Sequence, residues 1–543
     1  MKKKLIIIIS IFLVLIIGGL IAVLLFKPTS NSTSKTNIVD VTNLIYSGEK
    51  IKKYSSEDFD SFLDDYNNNK LPEVYITEFL FDGVSKYKTY DLDDFVESGN
   101  DVEVKALEII VFNVNTSNVS FTGEITGGMI AVNTNNIKED IEIVLDNLKL
   151  DTDSKKVPAI YVYNKDITYT EHKVTISAKK DSKNYIEGGK LKKVSLVPSE
   201  KVSDYSSYYS SNINYDSYTN YYGVYTEEEI NNILFAKVQA DREDLEDGDP
   251  YYYYKASGAI SSDIDLYFEG EGYLEVKSKN KEGIESKGNL TFSGGIGDYV
   301  IESEDDCLNT TTDKSENTSA KNTLTIDVNS LYAIVSLEAD EGDAIDSNGE
   351  LIINGGTIVA IAKPGSDAGI DSETGTYING GTVLATGDMY DKISSDSKQN
   401  AAVLSFGSRP TENTLITLLN SDEKEIFSYK TDRTYQYLIY SSPNLTEGDY
   451  TLYKDGTITG EEKYGYYTTI SSYEKGTTLA YSTTETNILE GPGEMIPQGG
   501  NIQGGRPDNG PMQNNDTNET APNKIFTLNS GVNTFLGIAN YSE

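Results

Sequence analysis

One stretch constrains the fold of this chain more than any other: Gly342–Gly387, GDAIDSNGELIINGGTIVAIAKPGSDAGIDSETGTYINGGTVLATG. Ile345-Asp346-Ser347 returns as Ile370-Asp371-Ser372, and Asn354-Gly355-Gly356-Thr357 returns as Asn379-Gly380-Gly381-Thr382, both after 25 residues. Short β-rich runs repeating at that period, with glycine between them, predict coils stacked on coils. The expected fold is all-β, a parallel β-helix.

Counting from the isoleucine inside each repeat gives Ile260, Ile284, Leu308, Ile345 and Ile370, with steps of 24, 24, 37 and 25. The long step contains the polar stretch Asp313–Lys321 and reads as a normal turn of the coil with an outward loop. Ten residues after four of these positions stand Gly270, Gly294, Gly355 and Gly380, which predicts a corner that needs positive φ.

Stacked strands lie ~4.8 Å apart, so equivalent residues form columns. The position after the inward isoleucine gives Glu285, Asn309, Asp346 and Asp371. Two positions before it stand Glu282, Asp306 and Asp343, with Asp367 one step earlier in the last repeat and Asp305 beside Asp306. Glu338 and Asp340 precede the fourth repeat. Unit charges at that spacing repel by about 1 kcal/mol in water and about 3 to 4 at an effective dielectric of 20. Such a column is uncomfortable unless cations sit in it. Calcium fits best, because it takes about 6–8 oxygen ligands from carboxylates and carbonyls. The competing reading is a solvated acidic ridge that keeps the protein soluble.

Composition narrows the function. Asp and Glu number 85 against 46 Lys and Arg, a formal charge of −39 over 543 residues, which argues against nucleic acid as a partner. A single cysteine, Cys307, allows no intramolecular disulfide. A single histidine, His172, leaves zinc sites and Ser-His or Cys-His catalysis close to excluded. The chain has 40 Tyr and no Trp. Aromatic rings suit sugar-binding faces, although a biased genome gives the same count.

Along the chain, Leu5–Phe26 is an uncharged run, apolar but for Ser10, behind Lys2, Lys3 and Lys4 and long enough to cross a bilayer. The lysines favour the cytoplasmic side, so residues 1–28 read as an uncleaved single-pass signal anchor with the bulk of the chain extracellular. A cleaved signal peptide is the alternative, but the run ends in Leu-Leu-Phe-Lys-Pro without a small-residue cleavage site. Residues 29–100 read as a spacer and a small α/β N-terminal cap, with a capped helix start at Ser55–Phe59. Residues 101–400 carry the repeats and are interrupted at 199–254 by a Tyr-rich insertion. Residues 401–490 read as a β-rich C-terminal cap and 491–543 as a flexible tail.

Catalysis finds little support. Paired carboxylates such as Asp305-Asp306 are available for glycoside hydrolysis, but acids are everywhere. The Gly-His-Gly and Arg-Ile-Lys elements of β-helix polygalacturonases are absent. A lyase would need calcium and a basic residue, and Arg242, Arg409, Arg433 and Arg506 all lie outside the regular repeats, leaving lysines such as Lys287 or Lys363. No catalytic residue is assigned.

These elements resemble a known family, the carbohydrate-binding β-helix domain of clostridial and related surface proteins, whose characterised relatives bind cellulose and pectic acid. The likeness rests on Ile141-Glu142-Ile143-Val144-Leu145-Asp146 with Ala159-Ile160-Tyr161-Val162, on Gly258-Ala259-Ile260-Ser261-Ser262, and on Gly283-Ile284-Glu285-Ser286-Lys287-Gly288. Both Ile-Asp-Ser repeats and Ser441-Ser442-Pro443-Asn444-Leu445 complete it. The resemblance implies a right-handed parallel β-helix shaped like a pectate lyase, several calcium ions and no established enzymatic activity. It implies ions at Asp343, Asp346, Asp367 and Asp371, while Asn309 departs from the acidic pattern.

The expectation is therefore a membrane-anchored extracellular protein whose calcium-stabilised β-helix binds polysaccharide, pectin-like or cellulose-like and more readily acidic. A calcium-dependent lyase and a purely structural adhesion protein are the alternatives. Which residues touch the glycan is not legible at this level.

Overall fold

The computed structural model describes residues 37–42, 53–55, 84–87, 95–98, 101–104, 110–114, 116–134, 139–153, 158–163, 172–189, 194–196, 251–253, 258–311, 322–486 and 522–540. Its elements are all strands, in one 17-stranded sheet, one nine-stranded sheet and three smaller ones.

The nine-stranded sheet contains the repeat. Ile110–Val114, Gly128–Asn133, Ile160–Tyr163, Ile260–Ser262, Ile284–Ser286, Leu308–Thr310, Ile345–Ser347 and Asp371–Ser372 run parallel to their neighbours, and Val84–Tyr87 adds an antiparallel edge. The expected isoleucine column exists and is longer than the repeat implies. Ile130, Ile160, Ile260, Ile284, Leu308 and Ile345 lie in direct register and are fully buried. Two positions along, Ser262, Ser286, Thr310, Ser347 and Ser372 form a second inward column, also buried. Their hydroxyls are satisfied locally: Thr310 and Ser347 lie 3.1 Å apart, and Ser286 donates to the Ile264 carbonyl at 2.9 Å. Buried hydroxyls need such partners, because one left alone loses its hydration without return.

The large sheet covers the other sides of the same core. Ile141–Asp151, Leu324–Val335 and Glu350–Ile361 are long enough to pair twice along their length, so two columns of parallel strands merge into one sheet. Inward-facing apolar side chains from both sheets make one continuous cluster. At its centre Phe268 and Phe292 stack with centroids 4.7 Å apart, and Tyr299 meets Phe292 edge-on at 5.0 Å. Rings in neighbouring strands stack because the register holds equivalent positions one strand spacing apart.

The expected right-handed parallel β-helix solenoid is corrected by this arrangement. The strands close round the core as an eight-stranded parallel β-barrel with an adjoining parallel sheet, rather than as one uniform coil. The large sheet also does not stop where the repeat fades. Thr382–Gly387 pairs antiparallel with Tyr437–Ser441, which pairs antiparallel with Ala401–Phe406. Val532–Ile538 then runs parallel to Ala401–Phe406, and Phe526–Leu528 joins a five-stranded sheet through Gly448–Lys463. Residues read as part of a flexible tail thus complete two sheets. The physical reason is the open hydrogen-bonding edge left by the last parallel strand, which later segments cover.

Arg433 locks this end of the molecule. It is 6% exposed, donates through Nη1 to the carbonyls of Val335 at 2.6 Å and Ala362 at 3.2 Å, and pairs with Asp432 at 2.8 Å. The expected glycine corner is shifted by one residue in the last two repeats. Gly270 and Gly294 have positive φ as expected, but Gly356 and Gly381, the second glycines of their pairs, take the positive φ of 103° and 84°. A Cβ on Gly381 would lie 2.5 Å from the Gly356 carbonyl oxygen, so the stacking as well as the backbone angle excludes a side chain there.

No helix among the described residues is long and apolar enough to cross a membrane. The apolar run Leu5–Phe26, most of the helix start expected at Ser55–Phe59 and most of the insertion at 199–254 lie outside the described residues. Ser55 itself belongs to the strand Lys53–Ser55.

Candidate functional site: a carboxylate cluster on the repeat face

The residue after each inward isoleucine faces out of the sheet, so register alone decides which of these side chains meet. Ser261, Glu285, Asn309, Asp346 and Asp371 follow one another in direct register. At the Asp371 end the chain brings in Asp343 from the turn before Ile345. One carboxylate oxygen each from Asp343, Asp346 and Asp371 lies within 4.8 Å of the others. All three residues are half-buried.

No lysine or arginine among the described residues is ion-paired with any of the three. Burial, opposed by the Ala368 amide that donates to Oδ1 and reinforced by the charges of Asp306, Asp371 and Asp346, pushes the Asp343 carboxyl up to about 8. Burial, then Asp306 and Asp371, raises Asp346 to about 8 as well. Asp371 is raised by burial and by Asp391, against a 2.8 Å hydrogen bond from the Ser372 amide. Three carboxylates forced together without a counter-charge favour either protonation or a bound cation. Oxygen-only donors at this separation match a hard divalent ion, so the residues present fit calcium.

Around the triad stand two further groups. Asp306, pushed up to about 6 chiefly by burial, accepts from the Asp343 amide at 2.8 Å and from Asn309 Nδ2 at 2.5 Å. Asn309 Nδ2 also donates to Asp346 at 3.1 Å, leaving Asn309 Oδ1 buried without a partner. One level away, Glu282 is raised to about 8 by burial and by Glu285, and its Oε2 has no partner.

The remaining sequence-expected residues do not join the triad. Asp305 pairs with Lys281, and Glu285 is buried in the outward column. Asp367 contributes its backbone carbonyl to the amides of Asp388 at 2.9 Å and Met389 at 3.1 Å. Glu338 and Asp340 are exposed on the turn after Leu324–Val335. Asn309 was read only as a departure from the acidic pattern, yet it is the donor that bridges two of the acids. Its spacing in the column was the available signal.

Neither the curated proteins nor the solved structures contain a match to this chain. One family model matches it, that of a carbohydrate-binding domain-containing protein, over residues 224–423. This span covers less than half of the chain but includes every repeat from Ile260 to Asp371 and the whole carboxylate cluster, and it supports carbohydrate binding.

Proposed function

We propose that this protein binds polysaccharide at the cell surface without cleaving it, and that calcium held by Asp343, Asp346 and Asp371 stabilises the binding domain. The family match over the repeats carries the carbohydrate reading. The triad, raised toward neutral pH and without a basic partner, supports the cation. A calcium ion with ligand positions to spare would also accept uronate carboxylates, which gives an acidic polysaccharide a route onto a chain of charge −39. Anchorage through Leu5–Phe26 would place the domain outside the membrane.

The test is retention of the full chain on immobilised polysaccharides, neutral and uronate-containing, with calcium and with chelator. Retention on uronate polymers that collapses with chelator supports the bridge. Retention unchanged by chelator removes calcium from the binding step, and no retention on any polysaccharide removes the carbohydrate reading.

A further inference from the structure

The long hairpin of Gly448–Lys463 and Tyr466–Thr478 brings its turn over the outer face of the large sheet. There Tyr464 packs on Tyr332 with centroids 5.5 Å apart, and Lys463 Nζ sits 4.0 Å from the Tyr332 ring centre and 5.9 Å from that of Tyr273. Tyr332 is buried under this turn, whereas Tyr273 and Tyr464 remain half-open and Tyr185 is 40% exposed. Tyr185 and Tyr273 meet edge to face at 6.1 Å on neighbouring strands. An open tyrosine step on the sheet therefore leads to a tyrosine and an ammonium on the hairpin turn.

Lys463 is the unusual member. It is half-buried, its pKa is lowered by burial, and no hydrogen bond or ion pair among the described residues uses its three donors. Among the described residues its close contacts are ring faces, with the charges of Asp298 and Glu275 acting on it as well, and rings attract the charge but leave the N–H groups free to point elsewhere. The carboxylates nearby are held in place: Tyr273 donates to Glu275 at 2.7 Å, and Glu302 takes Lys277 at 3.0 Å and the Tyr464 hydroxyl at 3.4 Å. Ring faces for stacking, fixed carboxylate acceptors and an unspent donor are what a polyhydroxylated ring needs. Carboxylates on both sides repel a uronate, so the chemistry favours uncharged sugar units.

We infer that Tyr185, Tyr273, Tyr464 and Lys463 form a glycan-stacking platform that takes neutral pyranose units, separate from the carboxylate cluster. This rests on the carbohydrate reading but not on calcium. Tyr185 supplies an open ring, Lys463 donates to sugar hydroxyls, and Glu275 and Glu302 accept from them. Strand spacing of ~4.8 Å presents the ring and acceptor positions at intervals on the scale of one sugar unit.

Calorimetric titration of the full chain with a β-1,4-linked glucose hexamer and with an oligogalacturonate tests it, using Tyr185→Ala and Lys463→Met. Tyr185 is exposed enough for its truncation to leave the melting temperature unchanged, which keeps the result interpretable if Lys463→Met loses stability. The expected result is a glucose-hexamer affinity about tenfold weaker in each variant, with oligogalacturonate binding unaltered. Parent-like affinity for the neutral hexamer in both variants overturns the platform while leaving carbohydrate binding intact. Loss confined to oligogalacturonate overturns the neutral class. A parent chain that binds no glycan overturns the carbohydrate reading and the platform with it.

Discussion

Asn309 Nδ2 lies 3.1 Å from Asp346 Oδ2, so an amide in the outward column donates directly to the acid stacked beside it. The same group holds Asp306. In Asn309→Ala both acids lose a donor inside a half-buried cluster. The expected cost is about 1–3 kcal/mol, the usual penalty for leaving buried acceptors unpaired. Chemical denaturation at pH 8 measures it. A change within error would mean that solvent already satisfies both carboxylates.

The raised acids give stability a definite pH dependence. In chelator, the native protein holds protons on Asp343 and Asp346 up to about 8, while the unfolded chain releases them near 3.8. Between these values the folded state binds more protons, so the contribution of the pair falls as pH rises from about 4 to about 8. Calcium should reverse the trend by replacing the protons, with the largest rise in melting temperature near pH 8 and little effect below pH 5. Thermal melts across that range, with calcium and with chelator, would show the two curves converging on the acid side. Parallel curves contradict the assignment.

Neutralising one acid should separate the two roles of the cluster. Asp346→Asn removes a ligand and a source of repulsion together, so the variant should be at least as stable as the parent in chelator but gain much less from calcium. Binding calorimetry should show calcium affinity at the triad reduced by a factor of ten or more. Full calcium stabilisation in this variant would move the ion elsewhere.

Arg433 offers a test at the other end of the molecule. Arg433→Met keeps much of the packing and strips the donors from the buried carbonyls of Val335 and Ala362. Two unpaired buried carbonyls cost about 2–5 kcal/mol together. Lysine should rescue little, because one ammonium does not reproduce the planar fork. Equilibrium unfolding of both variants is the measurement, and parent-like stability in either would show that the guanidinium contributes no net anchoring.

Cys307 should be inert. It is fully buried, with its thiol pushed up to about 12 mainly by burial and against a hydrogen bond from Ser303. A thiol-specific reagent should label it only after unfolding, because the thiolate is the reactive form. Rapid labelling of the native chain would contradict the packing of the strand before Leu308.

The sequence carried the parts of the fold that depend on local spacing. Steps of 24 between Ile260, Ile284 and Leu308, and a step of 37 to Ile345 that takes in the polar stretch Asp313–Lys321, keep the same register, so the inward column and the outward Glu285–Asn309–Asp346–Asp371 column could both be read directly. Ile130 and Ile160 belong to the same column but were not counted in it, because they stand 30 residues apart and Ile160 lies 100 residues before Ile260, outside the period of 24 to 25. Strand direction has no comparable signature. Nothing local in Tyr437–Ser441 or Val532–Ile538 says that one will run antiparallel and the other parallel against the same neighbour. All three acids of the triad were named from the sequence, Asp346 and Asp371 by register and Asp343 by its place two positions before the inward isoleucine, but Asp367, named with them, is not among the three that meet. The hairpin turn carrying Lys463 and Tyr464 to Tyr332 joins residues far apart in the chain, which no short motif records.

The central claim is that the repeat domain binds polysaccharide with the help of a cation at Asp343, Asp346 and Asp371. Co-sedimentation of the full chain with an insoluble uronate-containing polysaccharide, in calcium and in chelator, beside Asp346→Asn under the same conditions, tests it most directly. The expected result is calcium-dependent sedimentation of the parent and weak, calcium-insensitive sedimentation of the variant. Equal sedimentation of both proteins in both buffers would contradict it.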